Sequence, residues 1–170
     1  SSAPLLHIAG ITPDSDLEPL DGAERVVLSR VDLREAWESF NSGPEQVNLI
    51  ALGSPHLSLE EVPRFSSCLG DRPVHPEVRV ILTVGRQILE QARKSGVAGH
   101  LQMAGVQLYS DLCWCSMTEP LFPPKTTVVM TNSGKYAHYA PGLSGRAVRF
   151  GSFADCAEAA VHGTARVTLP

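Results

Sequence analysis

Short continuous apolar runs alternate along this chain with stretches of helical period, and that alternation limits the fold more than any other feature. Residues 47–52, 78–84, 105–109, 126–131 and 147–150 read as strands. The first is continuously apolar from Leu49 to Leu52 rather than at every second position, as strands covered on both faces tend to be. Residues 5–11 and 26–29 are predicted as two further short strands. Between these runs the spacing predicts helices. Asp32 and Glu35 form a capping-box-like start, and Leu33, Ala36, Trp37 and Phe40 follow at i, i+3, i+4 and i+7 before Gly43 and Pro44 end the pattern. Ser58 and Glu61 open a second helix, which Pro63 is expected to shorten or bend. Ile88, Leu89 and Ala92 mark a third, ending at Ser95 and Gly96. Ser152 and Asp155 cap the last helix, whose apolar face is Phe153, Cys156, Ala157, Ala160 and Val161.

Strand, helix, strand at this spacing predicts an α/β fold with three layers, α/β/α, and a mostly parallel sheet. Ligands bind such sheets at the carboxyl ends of strands, which singles out loops 53–58, 84–87, 110–119, 131–142 and 151–152. The Pro-rich stretches 71–76 and 119–124 are short enough to be loops, so residues 1–170 are expected to form a single α/β domain.

A chain of 170 residues and 18.3 kDa can bury a sizeable core without disulfides. Its 14 Lys+Arg against 18 Asp+Glu give a net charge of −4 with no basic stripe, which argues against nucleic acid as a partner. No apolar run approaches the roughly 20 residues of a membrane helix. Cys68, Cys113, Cys115 and Cys156 are scattered over a chain that does not need them as staples, which favours reduced thiols and a cytoplasmic location. The first residue is Ser1, and no charged n-region precedes an apolar one, so the chain is expected to be a piece of a longer polypeptide or a separately made part.

Three constellations carry polar chemistry on the strand-end loops. Gly53-Ser54-Pro55-His56 leaves a buried strand and sets His56 near the next helix start, where anions are favoured; a tight turn with a locally bonded His56 is the plain alternative. Cys113-Trp114-Cys115 lacks the paired knuckles of a structural zinc site, and reads either as one thiolate of a shared cluster or as two ordinary loop cysteines. Asn132-Ser133-Gly134-Lys135-Tyr136 supplies helix-capping groups and a cation suited to a carboxylate or phosphate, or else merely caps a helix beside a solvated lysine. Cys156 falls in an apolar helical stripe and is expected in the core.

These motifs, in this order, resemble the aconitase X family. The likeness rests on Gly53-Ser54-Pro55-His56-Leu57-Ser58 with Glu61, Asp111-Leu112-Cys113, residues 131–141, Phe150-Gly151-Ser152 and Cys156, and is most specific from Asp111 to Ala160. The resemblance implies an aconitase-like fold, with this chain the C-terminal part of the large catalytic region. It implies a hydro-lyase that removes water from a small hydroxy acid, cis-3-hydroxy-L-proline in many bacteria or phosphomevalonate in archaea, and inactive as this isolated stretch. It also implies an iron–sulfur cluster. The family pattern places cysteines at the positions of Cys113 and Ser54 and a third upstream, so Cys113 and the oxygen donor Ser54 are the expected metal ligands. His56, Asn132, Ser133 and Lys135 are the expected substrate-binding residues. The implied partners are the remainder of the large region and a small swivelling domain or subunit, which carries the catalytic base outside this chain. A non-catalytic docking domain that has lost the cluster is the alternative that the serine at position 54 raises.

Overall fold

The structure, a computed structural model, describes residues 6–13 and 17–167. The chain divides into two compact units, one up to Arg30 and one from Val31 onward. In the first unit the described residues form turns and irregular chain. The strand predicted at 26–29 is absent, and Val26, Val27 and Leu28 are 70–80% exposed. Apolar composition favours a strand only where a neighbouring ladder takes up its N–H and C=O groups, and this run forms no ladder. Of the strand predicted at 5–11, residue 5 lies outside the described residues, and residues 6–11 form no strand.

The second unit is built on a five-stranded parallel sheet in the order β3-β2-β1-β4-β5. The strands are β1 (Leu49–Leu57), β2 (Arg79–Val84), β3 (Val106–Ser110), β4 (Val128–Thr131) and β5 (Ala147–Phe150). The helices are α1 (Arg30–Phe40), α2 (Glu61–Leu69), α3 (Arg86–Lys94), α4 (Val97–Met103), α5 (Gly134–Ser144) and α6 (Phe153–His162), with a 3-10 turn at Trp114–Ser116. All five strands expected in this unit are present.

Strand residues alternate between two hydrophobic clusters, which defines the layers. Ile50, Leu52, Val80, Leu82, Val84 and Met130 face Phe65, Leu69, Leu101 and Phe153 from α2, α4 and α6. Leu49, Ala51, Ile81, Val129 and Val148 face Trp114, Phe122, Tyr136 and Ala140 on the other side. Burial on both faces is why the central runs of β1, β2 and β4 are nearly continuously apolar rather than alternating.

The helices follow their local signals with three differences. Pro63 does not break α2: it lies in the first turn, where its missing N–H has no intrahelical acceptor to reach. The capping box is formed, with Ser58 N donating to Glu61 Oε2 at 2.8 Å and Glu61 N to Ser58 Oγ at 3.2 Å. α4 was not legible, since seven residues between Gly96 and Ala104 bury only Ala98 and Leu101. In α1 the predicted apolar face is only partly used. Trp37 and Phe40 meet Phe150 edge-on at 4.9 and 5.6 Å between ring centroids, while Leu33 is 60% exposed. The capping box of α6 is present as expected, with Ser152 and Asp155 bonded in both directions. Among the described residues no helix is long and apolar enough to cross a membrane.

Candidate functional site at the carboxyl edge of the sheet

Parallel strands put all their carboxyl ends on one edge, so the loops after β1, β3 and β4 must emerge together. Cross-links then draw them closer. Trp114 Nε1, in the loop after β3, donates to Leu52 O on β1 at 3.1 Å, and the Trp114 ring packs against Tyr136 of α5 at 5.5 Å. Asp111, at φ 59°, receives the Arg86 N–H on Oδ1 and the Arg86 side chain on Oδ2, both at 3.0 Å. That pair ties the loop after β3 to the N-terminus of α3.

Gly53-Ser54-Pro55-His56 is a wide bulge within β1 rather than a loop after it. Leu52 pairs with Leu82 and Leu57 with Val84, so four residues of β1 stand opposite the single Thr83. The Ser54–Pro55 peptide is cis. Thr83, fully buried, points its hydroxyl into the bulge, within hydrogen-bond reach of Leu52 O at 3.3 Å, Pro55 O at 2.9 Å and, closest of all, Gly53 O. Ser54 Oγ is buried and has no hydrogen-bond partner. His56 is exposed on the last stretch of β1.

Ser133 caps α5, its Oγ accepting from Tyr136 N at 3.2 Å, and Ser133 N donates to Thr131 Oγ1 at 3.2 Å. The capping reading of Ser133 is therefore realised. Asn132 is half-buried beside it and Lys135 is exposed in the first turn. Cys113 and Cys115 are both half-buried free thiols. Burial pushes the Cys115 thiol up, the adjoining Cys113 sulfur adds to this, and the Lys135 ammonium opposes it. Burial likewise raises the Tyr136 phenol, helped by Cys115 and Cys113. The two sulfurs, Tyr136 and Lys135 thus share one electrostatic neighbourhood between the 3-10 turn and the start of α5.

A cavity of about 270 Å³ adjoins this edge, lined among others by Trp114, Cys115, Phe122, Tyr136 and Arg146. None of Ser54, His56, Cys113, Asn132, Ser133 or Lys135 lines it. Sequence reasoning passed over Thr83 and Trp114. The available signal for Thr83 was a lone hydroxyl inside the apolar run 78–84, on the same face as Ile81.

For a metal group, the edge offers the Cys113 thiol and the orphaned Ser54 hydroxyl. An unsatisfied buried hydroxyl costs about 1–3 kcal/mol, which a bound group accepting or ligating there would relieve. Among the described residues no three His, Cys, Asp or Glu side chains converge as a complete ligand set. The residues present therefore fit a cluster as part of its ligand set.

An all-parallel α/β sheet domain whose polar loops meet at the carboxyl edge is a ligand-site scaffold of general type. Its sequence is more specific: the chain belongs to the aconitase X family, residues 47–162 matching the aconitase X third domain. A cis-3-hydroxy-L-proline dehydratase of Pseudomonas aeruginosa is 45% identical over 100% of this chain and 30% of its own length. One of Hypocrea jecorina is 38% identical over the same shares. A crystal structure of Thermococcus kodakaraensis aconitase X in its holo form superposes with a TM-score of 0.76, covering 89% of this chain and 38% of that one at 24% identity, and so shares the fold. The chain spans about 30% of the length of these curated relatives.

Proposed function

We propose that this chain is the C-terminal part of the large region of a hydro-lyase that removes water from cis-3-hydroxy-L-proline. Identity of 45% and 38% across the whole chain to two proteins of that name carries the reading. The gathering of three polar loops at one sheet edge supports it. Cys113 and Ser54 hold part of an iron–sulfur cluster, completed by donors outside this chain. When bound, the cluster supplies Lewis-acid assistance to the departing hydroxyl.

The chain's own residues bind and orient. Lys135, in the first turn of α5, meets the substrate carboxylate, Ser133 caps that turn, and Ser133 and Asn132 offer further polar groups to the substrate. His56, exposed beside Ser54, orients the substrate. The base that takes the proton is contributed by a small swivelling domain or subunit. Four free thiols suit a reducing compartment such as the cytoplasm.

The test is the complete enzyme assayed for loss of water from cis-3-hydroxy-L-proline and from phosphomevalonate. Turnover of the first is expected. Turnover of the second alone refutes the substrate assignment, and turnover of neither refutes the enzyme reading. Lys135→Met is expected to lower kcat/KM about 10- to 100-fold, mainly through KM, as loss of a charged hydrogen bond of about 1.5–3 kcal/mol implies. The melting temperature should not change, because Lys135 is exposed.

A further inference from the structure

We infer that Thr83 is a positioning residue for the site: its hydroxyl, placed beneath the β1 bulge, sets the direction in which Ser54 presents its side chain. The inference rests on the proposed role of Ser54 and deepens it.

Four residues opposite one leave the 53–56 bulge without a regular ladder, so other contacts must fix its path. The Thr83 hydroxyl is the group that meets it. It has one proton to donate and lies within reach of three carbonyls, those of Leu52, Gly53 and Pro55. Two of these belong to the residues immediately before and after Ser54. The Gly53–Ser54 peptide unit, which flanks Ser54, and the Pro55–His56 unit one residue further on are thereby turned toward Thr83.

The fit is close. A Cβ at Gly53, where φ is +90°, would lie 2.2 Å from Thr83 O and 2.7 Å from Thr83 Oγ1. Glycine is what lets the bulge settle onto the hydroxyl. Trp114 Nε1 donates to the same Leu52 O, so the loop bearing Cys113 is registered against the carbonyl that Thr83 also faces. Ser54 Oγ is held buried and unpartnered at the end of this chain of contacts. A fully buried strand position on the same sheet face as Ile81 would ordinarily take an apolar residue, and valine has nearly the shape of threonine. The hydroxyl is explained by the bulge.

The experiment compares Thr83→Val and Thr83→Ser in the complete enzyme, alongside Ser54→Ala and Cys113→Ala. The readouts are bound iron after desalting, kcat and KM measured separately, and thermal melting. Thr83→Val is expected to lose about 10- to 100-fold in metal retention or kcat, the usual effect of removing a group that orients a ligand. Thr83→Ser, which keeps the hydroxyl, should return both to within about threefold. Wild-type kcat and iron in Thr83→Val overturn the inference. So does a Thr83→Ser variant as impaired as Thr83→Val, which would show that packing of the methyl group matters instead. If Ser54→Ala and Cys113→Ala leave iron and turnover unchanged, the site reading itself fails. Loss in those two with none in Thr83→Val removes only the role of Thr83.

Discussion

Gly53 admits no side chain, and that single position decides whether the bulge closes on β2. Its φ of +90° is strained for any residue with a Cβ, and the carbonyl of Thr83 occupies the space that Cβ would need. Neither obstacle can move cheaply, since one is the residue's own backbone and the other belongs to a central strand. Gly53→Ala is therefore expected to cost several kcal/mol, beyond the roughly 1–2 kcal/mol of the left-handed conformation alone. Gly134 provides the comparison: it opens α5, and the nearest atom to an added Cβ is Phe150 Cζ at 3.9 Å. Gly134→Ala should leave the midpoint of urea unfolding unchanged or raise it slightly. Equal and small shifts in both variants would mean that the bulge is far more pliant than its contacts imply.

Among the elements, α6 was the most legible, because cap and apolar stripe agree, and the structure ends it at Gly163. Its stripe carries Cys156, fully buried as expected, and burial pushes that thiol well above its ordinary range, with Asp155 and Cys68 adding to it. A group that ionises at higher pH when folded gives full stability below its unfolded pKa and loses it as pH rises past that value. With an ordinary thiol near 8.5, Cys156 should withdraw about 2 kcal/mol between pH 7 and pH 10. Urea titrations at both values test this: Cys156→Ala should be destabilised at pH 7 and lose less on going to pH 10 than the wild type. Parallel losses would show that Cys156 does not drive the alkaline decline. The central strands β1, β2 and β4 were legible as continuous apolar runs because they are buried on both faces, whereas the edge strands β3 and β5 are in part only half-buried. The run at 26–29 misled because its apolar residues match a strand pattern while remaining exposed. The bulge at 53–56 was hidden for a different reason: register depends on what lies opposite, and Thr83 is 30 residues from the Gly53 carbonyl it meets.

At the scale of the molecule, the sheet edge carries the proposed donors Cys113 and Ser54 without a full ligand set among the described residues, and this has a measurable consequence. The sequence pattern placed Cys113 and the 132–135 turn on loops that follow parallel strands, while Ser54 lies in a bulge within β1 rather than on a loop after it. What it did not convey was how many donors converge, which depends on side-chain directions. In the proposed reading Cys113 contributes one thiolate and Ser54 one oxygen, and among the described residues no three His, Cys, Asp or Glu side chains converge as a ligand set. Thiolate binds iron more readily than a serine oxygen does, and a group held by two donors exchanges its metal quickly. Supplied anaerobically with iron and sulfide and then desalted, the 170-residue chain is expected to stay colourless with far less than one iron per chain. The complete dehydratase should absorb in the visible region and lose that absorption on Cys113→Ala. Stoichiometric iron and sulfide on the 170-residue chain would instead bring in Cys115, whose sulfur adjoins Cys113, as the donor that closes the set. A colourless complete enzyme with full turnover would leave Cys113 a half-buried thiol with no part in metal binding.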